Sequence, residues 1–171
     1  MKPWAHQERA LESAREAIRA GARAPLIVSP TGSGKTRIGV EICAGAVARQ
    51  IAYAKAQNVP WGISESGYNL TDAAQNYQYR AFGVPGLGLQ RGLSQELVIA
   101  PYASALALTV APRAAADNLR TMAGKGWLTT YGFYEAIDYT PARQQPGETH
   151  AIVRSFMAHH QGMSLLAFTH A

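Results

Sequence analysis

The 171-residue sequence contains a single cysteine, Cys43. One thiol permits no internal disulfide and no cysteine-based metal site. Cys43 is expected to pack as a small apolar residue. No run of roughly 18 apolar residues occurs, which excludes a membrane-spanning helix. The most apolar stretch, Val98–Val110, is interrupted by Pro101, Tyr102 and Ser104, and reads as a buried helix. The charged region, apolar core and small-residue cleavage site of a secretory leader are also missing. Lys2 leads directly into an amphipathic pattern, so a cytoplasmic location is expected. There is no Pro/Gly/Ser linker, internal repeat or low-complexity tract. The hydrophobic fraction of 47% argues against disorder. The length suits one ordinary domain or two small ones.

What is present is unevenly distributed. All eight tyrosines and all four phenylalanines follow residue 50, and Trp4 is the only aromatic residue before it. Residues 1–50 carry eight basic and four acidic side chains, a balance of +4. The other 121 residues carry eight and seven, a balance of +1. Glu8, Glu12 and Glu16 interleave with Arg9, Arg15 and Arg19, which reads as a solvated helix face. A nucleic-acid surface is not expected from charge alone. The helical stretch Thr36–Arg49 runs into Gln50–Lys55 without a flexible linker, where a natural domain boundary usually has one. A junction inside a helix is therefore expected, dividing the chain into residues 1–49 and 50–171.

In the first segment, His6–Ala20 reads as a helix with Leu11, Ala14 and Ile18 on one face, and Gly21 is placed to stop it. Pro25–Val28 is a short apolar run suited to a buried parallel strand. Ser29-Pro30-Thr31-Gly32-Ser33-Gly34-Lys35-Thr36 follows. A strand, such a loop and a helix make a phosphate cradle. Gly32 and Gly34 let backbone N–H groups turn toward an anion, and the helix beginning near Lys35 adds its positive end. Lys35 would reach the β- and γ-phosphates of ATP, with Thr36 as the Mg²⁺ ligand. Thr31 and Ser33 complete the cradle. The segment resembles superfamily 2 helicases and related restriction-type ATPases, which commonly have Ala or Ser before Pro-Thr-Gly-Ser-Gly-Lys-Thr. Trp4–Leu11 resembles their entry motif, which implies that Gln7 contacts adenine. The second acidic motif of such enzymes is absent, as is a second RecA-like domain. Hydrolysis is not expected, and nucleotide binding is the activity left open.

The second segment is rich in glycine and aromatic residues. Pro112 starts a helix through Met122, and Gly124 and Gly126 end it. Tyr131–Tyr139 reads as an aromatic loop or short strand, and Ala151–Phe168 as the final helix. Glycoside cleavage normally uses two carboxyl groups. Glu65 and Glu135 each sit among aromatic, glycine and hydroxyl residues, with Asp138 three residues beyond Glu135. Trp61, Tyr68, Tyr77, Tyr79, Tyr134 and Tyr139 are candidate platforms for sugar faces. Phe82, Phe133, Phe156 and Phe168 read as core. His159 and His160, adjacent on a helix, face about 100° apart. They form no i, i+4 zinc pair. One is expected to hydrogen-bond a sugar or a loop while the other packs, with Gln161 beside them as a substrate-binding candidate. No cofactor is expected for this segment.

The blocks WGISESGYN, NYQYRAFGVPGLGL, VIAPYASALAL, GFYEAIDYT and FMAHHQGMSLLA closely resemble the glucoamylase-like domain of bacterial cyclic β-1,2-glucan synthases. The resemblance implies an (α/α)6 barrel and chemistry on glycosidic bonds, either transglycosylation or hydrolysis, with a β-glucan oligosaccharide as partner. The expected fold is thus mostly α: a partial (α/α)6-barrel-like helical segment preceded by a short α-β-α P-loop fragment, with little strand beyond Pro25–Val28. A ring that does not close would expose apolar helix faces and favour self-association. Two further readings stand beside the carbohydrate-active one: a nucleotide-binding, helicase-like protein, and a non-functional fusion of two gene fragments.

Overall fold

In the computed structural model, residues 3–22, 25–28, 32–87 and 92–170 are described. The chain divides into two compact units, Met1–Ala46 and Val47–Ala171. The first opens with helix α1, Ala5–Arg19. The Trp4 carbonyl accepts the N–H groups of Gln7 and Glu8, and the Trp4 N–H donates to Gln7 Oε1 at 2.9 Å. Two otherwise orphaned groups at the helix start are thereby satisfied. Leu11 is buried, as its face requires, but Ile18 is 55% exposed. Pro25–Val28 is not a strand, and Leu26 and Val28 are 86% and 84% exposed. A buried strand needs a neighbour to satisfy its backbone. Every strand among the described residues lies in the second unit and pairs there. The expected α-β-α order is therefore α-α over the described residues.

Helix α2, Lys35–Gln57, is continuous through residue 50. Cys43 on it is exposed rather than packed. In the second unit, Gln50 on α2 clips the loop that follows. Its Nε2 donates to the Ile63 carbonyl at 2.6 Å, and its Oε1 accepts the Ile63 N–H at 2.8 Å. The chain then forms an antiparallel pair, β1 (Ser66–Thr71) and β2 (Tyr77–Arg80). Asp72 closes their connection by accepting the N–H groups of Ala74 and Asn76, both at 2.9 Å.

Two expected helices each begin with a strand instead. The expected helix Val98–Val110 splits into β3 (Val98–Ile99), α3 (Pro101–Leu106) and a 3-10 turn, Ala107–Thr109. Helix α4 is Pro112–Gly124, close to its expected span. A short hairpin, β4 (Leu128–Thr129) and β5 (Gly132–Phe133), follows. Next come β6 (Ala136–Asp138), β7 (Ala151–Val153) and helix α5 (Ala158–Thr169). Strands β3, β6 and β7 make an antiparallel sheet in the order β3-β6-β7, pairing Ile99 with Ile137 and Ile137 with Ile152. The β-branched residues Val98, Ile99, Ile152 and Val153 favour that pleat over a helix, and Pro101 restarts a helix at its first turn. Helix makes up about 47% of the described residues, the largest share, with more strand than the sequence suggested.

Helix α3 packs against α4 and α5. The core is continuous from the sheet to α4: Val98, Ile99, Ala136, Ile137, Val153, Ala115 and Met122 are all 0% exposed, and Trp127 is 1%. Burying a large apolar side chain contributes about 1.5–3 kcal/mol, so this sheet-and-helix contact is a rigid base for the loops leading from it.

Candidate active site

Glu135 precedes β6 and is 2% exposed. Its N–H donates to the Ser155 carbonyl at 3.0 Å, and its Oε1 accepts the Gly67 N–H from β1 at 3.0 Å. Glycine leaves room for this approach. A Cβ at residue 67 would lie 3.2 Å from Glu135 Cγ and 3.3 Å from Val153 Cγ1. Both Glu135 carboxyl oxygens lie 3.0 Å from Nδ1 of His160 on α5. His160 is 1% exposed. Its ring stacks on Tyr102 of α3, with centroids 3.7 Å apart and planes 10° apart. The Ser164 hydroxyl donates to the His160 carbonyl at 2.8 Å. On its other side, His160 Nε2 lies 3.4 Å from the Tyr79 hydroxyl of β2.

Glu65 is exposed and acts electrostatically on the same group. Burial, and after it the negative charge of Glu65, push the Tyr79 phenol up to about 12. Tyr102, Glu135 and a hydrogen bond with Glu65 add to that rise. Burial also raises the Tyr102 phenol; its bond to Ser64 opposes the rise and the charges of Glu65 and Glu135 reinforce it. The Tyr102 hydroxyl lies 2.8 Å from Ser64 Oγ and 3.1 Å from the Glu65 carbonyl oxygen, to which it donates. A pocket of about 290 Å³ opens on this group, lined by Glu135, His160, Gln161 and the rings of Tyr102, Phe133 and Tyr134, among others. Apolar walls with a few convergent polar groups suit a small-molecule site.

Several expected site residues thus converge: Glu65, Glu135, Tyr79 and His160, with Tyr134 and Gln161 lining the pocket. Gln161 Nε2 is bonded to the Phe133 carbonyl at 2.9 Å. His159 is exposed, and its ring lies 6.3 Å from that of Tyr79. The buried histidine, rather than the exposed one, makes the hydrogen bonds.

Other expected residues lie elsewhere. Trp61 is 7% exposed and belongs to the core, so its face is not open to a sugar. Tyr77 packs against that core. The guanidinium carbons of Arg80 and Arg143 lie 5.0 and 4.9 Å from the Tyr68 ring centre. Tyr139 meets Trp127 edge-on, and burial pushes its phenol up to about 12. Asp138 is 0% exposed. It accepts from Asn69 N and Arg143 Nε at one oxygen, and from Thr140 N and Arg143 Nη2 at the other. Arg143 also pairs with Glu96 at 2.8 Å, and Glu96 with Arg80. Both oxygens of Asp138 are therefore committed to holding loops together, which leaves none directed at a substrate. Phe82 is core and Phe133 packs against it, but Phe156 and Phe168 are 39% and 50% exposed. Phe156 stacks on Tyr134, and Phe168 lines the pocket.

Tyr102 and Gly67 are site residues that the sequence reading did not single out. Tyr102 carried a signal, as a hydroxyl-bearing ring interrupting the most apolar stretch of the chain.

In the first unit, Gly32 and Gly34 have φ of +82° and +77°, a backbone that favours glycine. Lys35 begins α2. A Cβ at Gly34 would fall on Gln7 Nε2. Gln7 is 4% exposed, and its Nε2 donates to the Ser33 carbonyl at 2.9 Å. Both ends of its amide are thus bonded within the protein instead of being offered to adenine. Lys35 and Thr36 are exposed. Thr31, with Ser29 and Pro30, lies outside the described residues. Among the described residues, no group of three or more His, Cys, Asp and Glu side chains could hold a metal ion. None of their helices is long and apolar enough to cross a membrane.

Comparison with known proteins agrees with both resemblances. The family model described as putative glucoamylase matches residues 43–169. That of the type III restriction enzyme, res subunit, matches residues 1–53. Over 121 residues, 71% of the chain, the sequence is 48% identical to the cyclic beta-(1,2)-glucan synthase NdvB of Rhizobium meliloti (strain 1021), and it spans 4% of that protein's length. The chain belongs to the putative glucoamylase family.

Proposed function

We propose that this member of the putative glucoamylase family is a carbohydrate-active unit that takes a β-1,2-linked glucan and acts on its glycosidic bonds. One observation carries the proposal: an exposed carboxyl, Glu65, and a buried one, Glu135, act on the same tyrosine–histidine group beside an aromatic pocket. Two carboxyls in contrasting environments are what acid and base roles on one substrate require. Glu65, the accessible one, is assigned to the reacting bond. Glu135, buried, with an acceptor bond from Gly67 and contacts to His160, is assigned as the second carboxyl of the pair and also orders the site around it. Asp138 is reassigned from catalysis to holding Asn69 and Arg143. Tyr134 supplies a ring face and Gln161 a polar edge for the sugar. A partial (α/α)6-barrel-like arrangement is proposed for this chain, which spans 4% of the length of the glucan synthase it resembles. Product analysis with a β-1,2-glucan oligosaccharide tests the assignment. Wild-type protein should cleave or transfer glucosyl units and Glu65→Gln should not. Equal rates in the two would exclude Glu65.

A second reading applies to the first unit. The left-handed backbone at Gly32 and Gly34, directly before the helix start at Lys35, fits a phosphate group. Lys35 would hold phosphate oxygens and Thr36 a Mg²⁺ ion, which would neutralise phosphate charge. ATP binding that disappears in Lys35→Ala supports this reading. The two segments are proposed to descend from different parents, their junction lying inside α2 where the family matches overlap, from residue 43 to 53. If neither sugar nor ATP binds to folded protein, the chain is a fusion without either activity.

A further inference from the structure

We propose that Tyr131, Phe156 and Tyr134 form an aromatic platform for a further glucose ring of a bound β-1,2-linked chain, outside the pocket that receives its reacting part. This inference deepens the sugar-site reading above and rests on it. It gives Phe156 a role in place of the core position expected for it.

The platform is continuous with the pocket. Tyr134 lines the pocket and stacks on Phe156, with ring centres 5.5 Å apart and planes 28° apart. Tyr131 meets Phe156 at 6.0 Å and 67°. The three rings are therefore one cluster, and Tyr134 joins it to the pocket wall. Two of the rings are placed by the bond that also seats Glu135. The Glu135 N–H donates to the Ser155 carbonyl at 3.0 Å, and Tyr134 and Phe156 are the chain neighbours of those two residues.

The third ring sits on the tight turn between β4 and β5. Thr129 Oγ1 accepts the Tyr131 N–H at 3.1 Å and donates to the Gly132 carbonyl at 3.0 Å. Gln161 of α5 donates to the Phe133 carbonyl at 2.9 Å, and a Cβ at Gly132 would clash with its side-chain oxygen. The turn is thus pinned to a side chain that also lines the pocket.

Tyr131 is 79% exposed and Phe156 39%, so ring surface is open to a ligand. An aromatic face carries partial negative charge, and the C–H groups on the face of a pyranose carry partial positive charge. Rings have few rotatable bonds to immobilise on binding. The exposed Leu165 and Leu166 of α5 are different in kind: aliphatic, with no flat face and no hydroxyl. The platform combines flat faces with the hydroxyls of Tyr131 and Tyr134, which suits a sugar ring with its rim of hydroxyl groups. A chain already held in the pocket meets the platform as an intramolecular contact, at high effective concentration. A short oligosaccharide that fills only the pocket gains nothing from it.

Calorimetric binding of β-1,2-linked glucose oligosaccharides of increasing length, from the disaccharide upward, to the full chain tests the proposal. Affinity should step up at the length that reaches the platform. Tyr131→Leu keeps apolar bulk and loses the flat face, whereas Tyr131→Phe keeps the face and loses the hydroxyl. Tyr131→Leu should weaken binding of the longest oligosaccharide by about three- to tenfold and leave the disaccharide unchanged. Tyr131→Phe should retain most of the gain with length. In the wild type, ring currents should move the C–H protons of one glucose unit of the long oligosaccharide upfield, a test that needs no variant to fold. Equal weakening at every length would place the effect in the pocket, and unchanged binding of long chains with no upfield shift would leave the rings unused. Either result would overturn the platform. Lost self-association in Tyr131→Leu with glucan binding intact would overturn it too, by giving the rings to a second copy of the chain. A wild type that binds every length alike keeps the pocket and removes only the platform. A wild type that binds no oligosaccharide removes the sugar-site reading and this proposal with it.

Discussion

Glu65 and Glu135 belong to the same residue type, but one is exposed and the other buried. Their loops were visible in the sequence as carboxyls set among rings and glycines. Which one a sugar could reach was not visible, because burial depends on strands β1 and β6 coming together. For the same reason Trp61 looked like a platform and proved to be core, and Asp138 looked catalytic while Arg143 and backbone amides use both its oxygens. Tyrosine ionisation gives the sharpest test at this scale. Burial holds Tyr79 and Tyr139 protonated up to about pH 12, against a usual value near 10. A folded-state pKa raised above the unfolded one contributes stability that is complete below the unfolded value and is lost as pH rises through the folded one. The protein is therefore expected to lose stability between about pH 10 and 12. In an absorbance titration, Tyr79→Phe and Tyr139→Phe should each remove part of the late-titrating signal. If both variants lost only ordinary tyrosine signal, the burial described here would be wrong.

At the scale of elements, helices α1 and α4 were legible from local signals, an apolar face and Gly21 for α1, and Pro112 with Gly124 for α4. The strands β3 and β7 were not. Each is only two or three residues of apolar sequence lying shortly before a helix, and its strand character comes from pairing with β6, a non-local contact that periodicity cannot report. Pro25–Val28 is the opposite case: an apolar run with strand composition and no partner among the described residues. The loop that carries Glu65 is held by two amides. Asn118 Nδ2 donates to the Trp61 carbonyl at 2.8 Å and to Ser104 Oγ at 2.9 Å, and Gln50 clips Ile63. Asn118→Leu should cost about 1–3 kcal/mol in urea unfolding, because it leaves the buried Trp61 N–H without its acceptor and the Ser104 oxygen short of a donor. An unchanged midpoint would show that the loop is held by packing alone. Gly67→Ala should cost a similar amount, about 1–3 kcal/mol, by forcing β1 away from Glu135. It should also shift the His160 resonances, and a variant with wild-type stability and an unmoved His160 would contradict the packing described between β1 and Glu135.

For the whole molecule, the division of aromatic residues and charge near residue 50 is matched by two family resemblances, over residues 1–53 and 43–169, which overlap within α2. On α5, Leu165, Leu166 and Phe168 are 65%, 61% and 50% exposed, and apolar exposure of this kind favours association. Sedimentation of the full chain should show concentration-dependent self-association that weakens in Leu166→Glu. A monomer at all concentrations would remove that expectation.

The most direct test of the central claim is an NMR titration of the full chain with a β-1,2-linked glucose oligosaccharide. Saturable shifts centred on Gly67, Tyr79, Glu135, His160 and Gln161 are the predicted result. No saturable binding, or shifts centred away from these residues, would contradict the assignment of this group as a sugar site.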